Sequence, residues 1–123
     1  MNIRIHGTRL NGSQSAALRR EAREVADHAT FSPHALTRMK QTNIIGGAVR
    51  RCVDTGCIIE LHLVNGDRRL IMRDGHGVIV TLSLDGRIFV TVFRNAPADA
   101  HVTMNVGEYY WGAIEERWLA RKE

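Results

Sequence analysis

The sequence predicts an α+β domain in which helices pack on a four-stranded antiparallel β-meander, with one helix added at each end. Three observations predict it. Up to about Thr55 the apolar residues recur at helical spacing, and from Cys57 they recur at a period of two. The pairs Asn65-Gly66 and Asp85-Gly86 break the second region at hairpin spacing. The chain of 123 residues is long enough for one compact domain and too short for two.

The elements follow in order. Asn2 to His6 alternates apolar and polar residues and reads as a short strand. Gly7 to Gly12 reads as a turn. Ser13 or Ser15 can cap a helix running to about His28, with Leu18, Ala22, Val25 and Ala29 as its apolar stripe. Ser32-Pro33 opens a second helix, because serine caps and proline is preformed for the first helical position. It carries Ala35, Leu36 and Met39 inward and ends near Asn43, a residue that tolerates left-handed geometry. A third helix spans about Ile45 to Thr55, with Val49, Cys52 and Val53 inward and Gly56 as its stop.

In the meander, Ile59, Leu61 and Leu63 alternate with Ile58, Glu60 and His62. Arg68 to Arg73 forms the next strand, and Asp74 to Gly77 turns it. Val78, Val80, Leu82 and Leu84 face one way; Ile79, Thr81 and Ser83 face the other. Arg87 to Phe93 completes the sheet, with Phe89 and Thr91 expected on one face. Residues 94–104 read as a loop. Asn105 and Glu108 form a capping-box-like start to a last helix, with Trp111, Ile114 and Trp118 at i, i+3 and i+7.

Composition bounds the function. Apolar residues make up 44% and charged residues 24%, ordinary for a globular domain. No apolar run approaches the length of a membrane span, and MNIRIHGTRLNG contains no apolar signal-peptide region, so a cytoplasmic protein without membrane contact is expected. The net charge is +4, and all basic residues except Lys40 and Lys122 are arginines. Arginine pairs bidentately with phosphate, which favours nucleic acid as a partner; a GC-rich genome would produce the same bias. Cys52 and Cys57 are five apart, unlike a redox or zinc pair, and read as buried free thiols. No histidine pair has metal-ligand spacing, so neither a metal nor a cofactor is expected.

One stretch is more distinctive. Phe31-Ser-Pro-His-Ala-Leu-Thr-Arg-Met-Lys40 leads to Ile44, Val49, Val53 and Gly56, and then to the meander ending at Asn95. Residues 31–95 resemble a small bacterial family of unknown function marked by a Ser-x-His-Ala…Arg-Met motif, grouped with the RelE-like and barnase/EndoU/colicin-like toxin folds. Residues 1–30 and 96–123 are flanking extensions. The family usually has Arg-Gly where this chain has Thr42-Asn43, so one phosphate contact is missing here. For the wider group the resemblance implies metal-independent RNA cleavage.

That chemistry needs a base for the 2′-OH, an acid for the leaving 5′-O and cations on the phosphate. His34 is the expected base, in the first turn of its helix, where the dipole favours neutral imidazole. Arg38 lies one turn on and would contact the scissile phosphate. The resemblance brings a polar residue such as Thr91 near them, to position the phosphate. Arg94, Arg73 and Arg69 are the expected nucleic-acid contacts. Each has a plain structural reading as well: a histidine at a helix cap, a solvated arginine, an outward strand threonine. His62 and Glu60 share a strand face and could form an acid–base pair beside Arg69 or Arg73, although a solvent-facing sheet side accounts for them as well.

The expected protein is therefore an RNase-like, toxin-type domain with RNA as substrate, a neutralising or target protein as partner, and a homodimer as one assembly. The alternative is a non-enzymatic phage or mobile-element protein that inhibits a host protein or nucleoprotein complex. A small structural domain is the third reading.

Overall fold

A computed structural model describes residues 3–94. The helix expected from Asn105, with Trp111, Ile114 and Trp118, lies outside the described residues. The order of elements is β1 (Ile3–His6), a 3-10 turn (Gly7–Arg9), α1 (Gly12–Ala26), β2 (Thr30–Phe31), α2 (Pro33–Thr42), α3 (Gly46–Thr55), β3 (Cys57–Val64), β4 (Asp67–Arg73), β5 (Val78–Ser83) and β6 (Ile88–Arg94).

The fold is α+β, with one six-stranded, mostly antiparallel sheet in the order β1-β3-β4-β5-β6-β2. The sheet thus has two strands more than the sequence analysis assigned to it. β1 pairs antiparallel with β3, Ile5 opposite Leu61. β2 has only two residues, too few to show a period, and pairs parallel with β6. Its Phe31 ring stacks on Phe89, with centroids 4.8 Å apart.

Local chemistry sets the element ends. α1 is capped by Asn11 rather than by a serine. The Asn11 side chain accepts from the Gln14 N–H at 2.8 Å, and the Gln14 side chain accepts from the Asn11 N–H at 2.9 Å. This reciprocal box satisfies two donors and explains the earlier start. Ser32 caps α2 and also donates to the Val90 carbonyl at 2.8 Å, tying the helix start to β6. Asn43 ends α2 in the left-handed region at φ 56°. Asn65 and Gly66 both have positive φ, the geometry of a two-residue hairpin turn.

All three helices contribute to a single core on one face of the sheet. α1 supplies Leu18, Ala22 and Val25; α2 supplies Ala35; α3 supplies Val49, Cys52 and Val53. They meet Leu61, Leu70, Met72, Val80, Leu82, Phe89 and Val92. Each fully buried aliphatic side chain contributes about 1.5–3 kcal/mol. α2 lies along β6, while α3 sits between α1 and strands β4 and β5.

Two bulges alter the expected phase. One lies between Ile58 and Glu60, the other opposite the Thr81–Leu82 step. The first leaves Ile59 as the extra residue and turns Ile58 into the core with Leu61. The second leaves Val90 as the extra residue, so Phe89 and Val92 both enter the core. Thr91 therefore faces away from Phe89 instead of sharing its face, because a bulge resets the alternation by one residue. Cys52 is buried as expected, but Cys57, at the first position of β3, is exposed.

Candidate functional site

The face of the sheet away from the helices (the far face) carries one cluster of ionisable side chains. Strand register aligns them in rows. Arg4, His62, Arg69 and Ser83 form one row across β1, β3, β4 and β5. His6, Glu60, Ile71, Thr81 and Thr91 form the next. Arg73, Ile79 and Phe93 form a third. Directly opposed residues in antiparallel strands have Cβ atoms about 4.5–5.5 Å apart, so neighbours in a row can act together.

The centre of this arrangement is a hydrogen-bonded imidazole and carboxyl. His62 Nε2 lies 2.6 Å from Glu60 Oε2, and the two side chains are 14% and 2% exposed. A carboxylate accepts from Nε2–H, and in a neutral imidazole that arrangement leaves the lone pair on Nδ1. The bulge at Ile59 keeps Glu60 and His62 on the far face while it sends Ile58 inward. Across the ladder, His62 is flanked by Arg4 on one side and Arg69 on the other. Arg69 Nε donates to Asp67 at 2.8 Å, and Asp67 in turn accepts from the Ser83 hydroxyl at 2.8 Å. That chain of contacts sets the position of the Arg69 guanidinium.

His6 stands opposite Glu60. Its Nδ1 accepts from the Thr8 backbone N–H at 3.2 Å and is 2.7 Å from the Thr8 hydroxyl. Nδ1 is thus the acceptor nitrogen, and the ring's proton resides on Nε2. The 3-10 turn after His6 rests tightly on β3: a Cβ at Gly7 would lie 2.1 Å from the Ile58 carbonyl oxygen. A cleft of about 250 Å³ opens there, lined by His6, Gly7, Thr8, Ile58, Ile59 and Glu60.

The residues singled out from sequence divide between the two faces. His34 and Arg38 are on α2, in the helical layer; His34 is exposed and Arg38 half-buried. Arg94 pairs with Val78, a core residue, so the pleat gives it the helical side as well. Thr91 pairs with Thr81 on the far face, and Arg69 and Arg73 share that face. The structure therefore does not bring Thr91 to His34 and Arg38, because the Val90 bulge and the pleat turn it to the other side. The structure does bring Arg69 to His62, as direct partners. Sequence reasoning missed Arg4 and His6. Their alternation in β1 was visible, but nothing local indicated that β1 joins the edge of β3.

The helical side has its own buried charge. Arg68 donates to both oxygens of Glu21, at 2.9 and 2.6 Å, and to Asp85 at 2.8 Å. Burial works against the Arg68 charge, and the two carboxylates outweigh it, so its pKa lies above the ordinary arginine value. Beside this network is a cavity of about 370 Å³ that includes Glu24, Asp27 and His28 in its lining. Burial also pushes the Cys52 thiol up to about 12, helped by the nearby Asp74 charge. Among the described residues, no group of three or more His, Cys, Asp or Glu side chains is arranged to hold a metal ion. No helix of the described residues is long and apolar enough to cross a membrane. Comparisons with protein-family models, curated proteins and solved structures find no match for this chain.

Proposed function

We propose that the protein cleaves RNA without a metal, by attack of a ribose 2′-OH on the adjacent phosphate, at the far-face cluster of Glu60, His62, His6, Arg4 and Arg69. The observation that carries this reading is the Glu60–His62 pair set between two arginines. His62 Nδ1 takes the proton from the 2′-OH. The O2′–P bond forms as the P–O5′ bond breaks. The His62 imidazolium so formed returns the proton from Nδ1 to the leaving 5′ oxygen, and His6 Nε2–H donates a hydrogen bond to the phosphate. The products are a 2′,3′-cyclic phosphate and a 5′-hydroxyl end. Arg4 and Arg69 pair with the non-bridging oxygens, whose charge grows in the transition state. Glu60 fixes the His62 tautomer and stays ionised throughout.

The motif that carries the family resemblance supports a second reading, with His34 as base and Arg38 on the phosphate. His34 is exposed in the first turn of α2, and Arg38 follows one turn later, so both can reach a ligand on the helical side. Arg94 would join that site and Thr91 would not.

Cleavage of a mixed-sequence RNA in EDTA separates the readings. The wild type should yield cyclic-phosphate ends. His62→Ala should lower the rate about 10²–10⁴-fold, as for loss of a general base, and His34→Ala should leave it within a few-fold. Loss confined to His34→Ala would move the site to α2. RNA binding without cleavage by any variant would make the protein a non-enzymatic binder.

A further inference from the structure

The cleft of about 250 Å³ at the start of β3 is lined by His6, Gly7, Thr8, Ile58, Ile59 and Glu60, so it adjoins the proposed site. Its polar wall comes from the bulge. Ile59 has no partner on β4, since Ile58 pairs with Met72 and Glu60 with Ile71. In a regular strand successive carbonyl oxygens alternate between the two edges, and a bulge breaks that order. A Cβ at Gly7 would lie 2.1 Å from the Ile58 oxygen and 3.0 Å from the Ile59 oxygen, so both turn to the same side. The Thr8 hydroxyl is 2.7 Å from His6 Nδ1, which is an acceptor, so its hydrogen points there and its oxygen still accepts. Glu60 closes the cleft on the side of His62. Acceptors thus border a space whose apolar wall is the half-buried Ile59.

We propose that this cleft holds the base of one nucleotide beside the scissile phosphate and selects bases that carry an exocyclic amine: adenine, guanine or cytosine rather than uracil. The inference rests on the far-face reading of RNA cleavage and adds a substrate preference to it. Size favours a single base. Pockets for drug-sized ligands begin at about 300 Å³, so this cleft suits one planar ring system with the sugar and phosphate outside. Reach favours it as well. Ile59 is three residues from His62, about 10 Å along β3, which is the span of one nucleotide. Hydrogen bonding then decides between bases. An amine brings N–H donors to a wall of acceptors, whereas a base carbonyl in the same place sets lone pairs against lone pairs.

The test uses the intact isotope-labelled protein and 2′-deoxynucleoside 3′-monophosphates, which cannot react by 2′-OH attack. Chemical-shift changes follow binding residue by residue. Inorganic phosphate alone should move Arg4, His62 and Arg69. The cytosine nucleotide should add shifts at Thr8 and Ile59 and bind about 2- to 12-fold tighter than the uracil nucleotide, the worth of one hydrogen bond. The guanine nucleotide should exceed the hypoxanthine nucleotide, which lacks the amine, by a similar factor. These two pairs test the cleft in the native chain. Ile59→Trp, which fills the cleft, should bring each pair to equal affinity and leave the phosphate shifts in place. A preference that survives in that variant would overturn the proposal. So would phosphate shifts at Arg4, His62 and Arg69 with equal affinity within each pair, a result that leaves the cleavage site standing. No shift at those three residues with any of these ligands would overturn both.

Discussion

Arg68 and Glu60 are both about 1% exposed and sit on adjacent strands, yet they face opposite sides of the sheet. Their surroundings differ in one respect that decides what each can do. Arg68 meets two carboxylates, and hydrogen bonds reach Nε and both terminal nitrogens. Its donors are committed, and the cluster ties α1 to β4 and to the turn after β5. Glu60 meets the His62 imidazole, which in its neutral form keeps a lone pair on Nδ1. A charge cluster that closes on itself holds a fold together. A cluster that ends in an acceptor nitrogen between two arginines can handle a proton and an anion.

Substitutions sharpen this contrast. The largest effect on stability should come from Arg68→Met. It removes the cation that Glu21 and Asp85 share, a change that costs about 3–5 kcal/mol. Urea denaturation would measure it, and a loss below about 1 kcal/mol would mean that water already satisfies the two carboxylates. Glu60→Gln should do the reverse. It keeps the size and one acceptor beside His62, so the denaturation midpoint should shift little, while RNA cleavage falls at least tenfold. A variant as active as the wild type would remove Glu60 from the chemistry.

Smaller effects test the scaffold beneath each face. The Cys52 thiol has its pKa raised from 9.0 to about 12 in the folded chain. Between those values the unfolded chain releases a proton that the folded chain retains. Stability should therefore fall as pH rises above 9, by up to about 1.4 kcal/mol per pH unit. Cys52→Ala should flatten that part of the curve, and an unchanged slope would assign it to other groups. Asn11→Ala breaks the reciprocal cap of α1 and should cost about 1 kcal/mol, with no change in cleavage, because α1 lies on the closed side of the sheet.

How much of this was legible in the sequence follows from the range of each interaction. Ser32-Pro33, Asn43 and Asn65-Gly66 act on their own backbone, so the bounds of α2 and the first hairpin could be read directly. The strand at Thr30–Phe31 could not, since two residues carry no period and its partner is β6. The bulges at Ile59 and Val90 depend on strand pairing, and they overturned the phase assigned to Ile58, Phe89 and Thr91. The candidate site shows the same division. Glu60 and His62 are two apart on one strand, so their shared face was visible. Arg4 and His6 join them only through the β1–β3 pairing, more than fifty residues away in sequence.

The contrast between the two sides is tested most directly by mapping where RNA touches the protein. A short oligonucleotide with 2′-deoxy substitution at every position cannot be cleaved by 2′-OH attack. It can be titrated into isotope-labelled protein and followed by chemical-shift changes residue by residue. The account predicts shifts concentrated at Arg4, His6, Glu60, His62 and Arg69, with the His62 ring among the largest. Shifts centred on His34 and Arg38, with β1 and β3 silent, would contradict it.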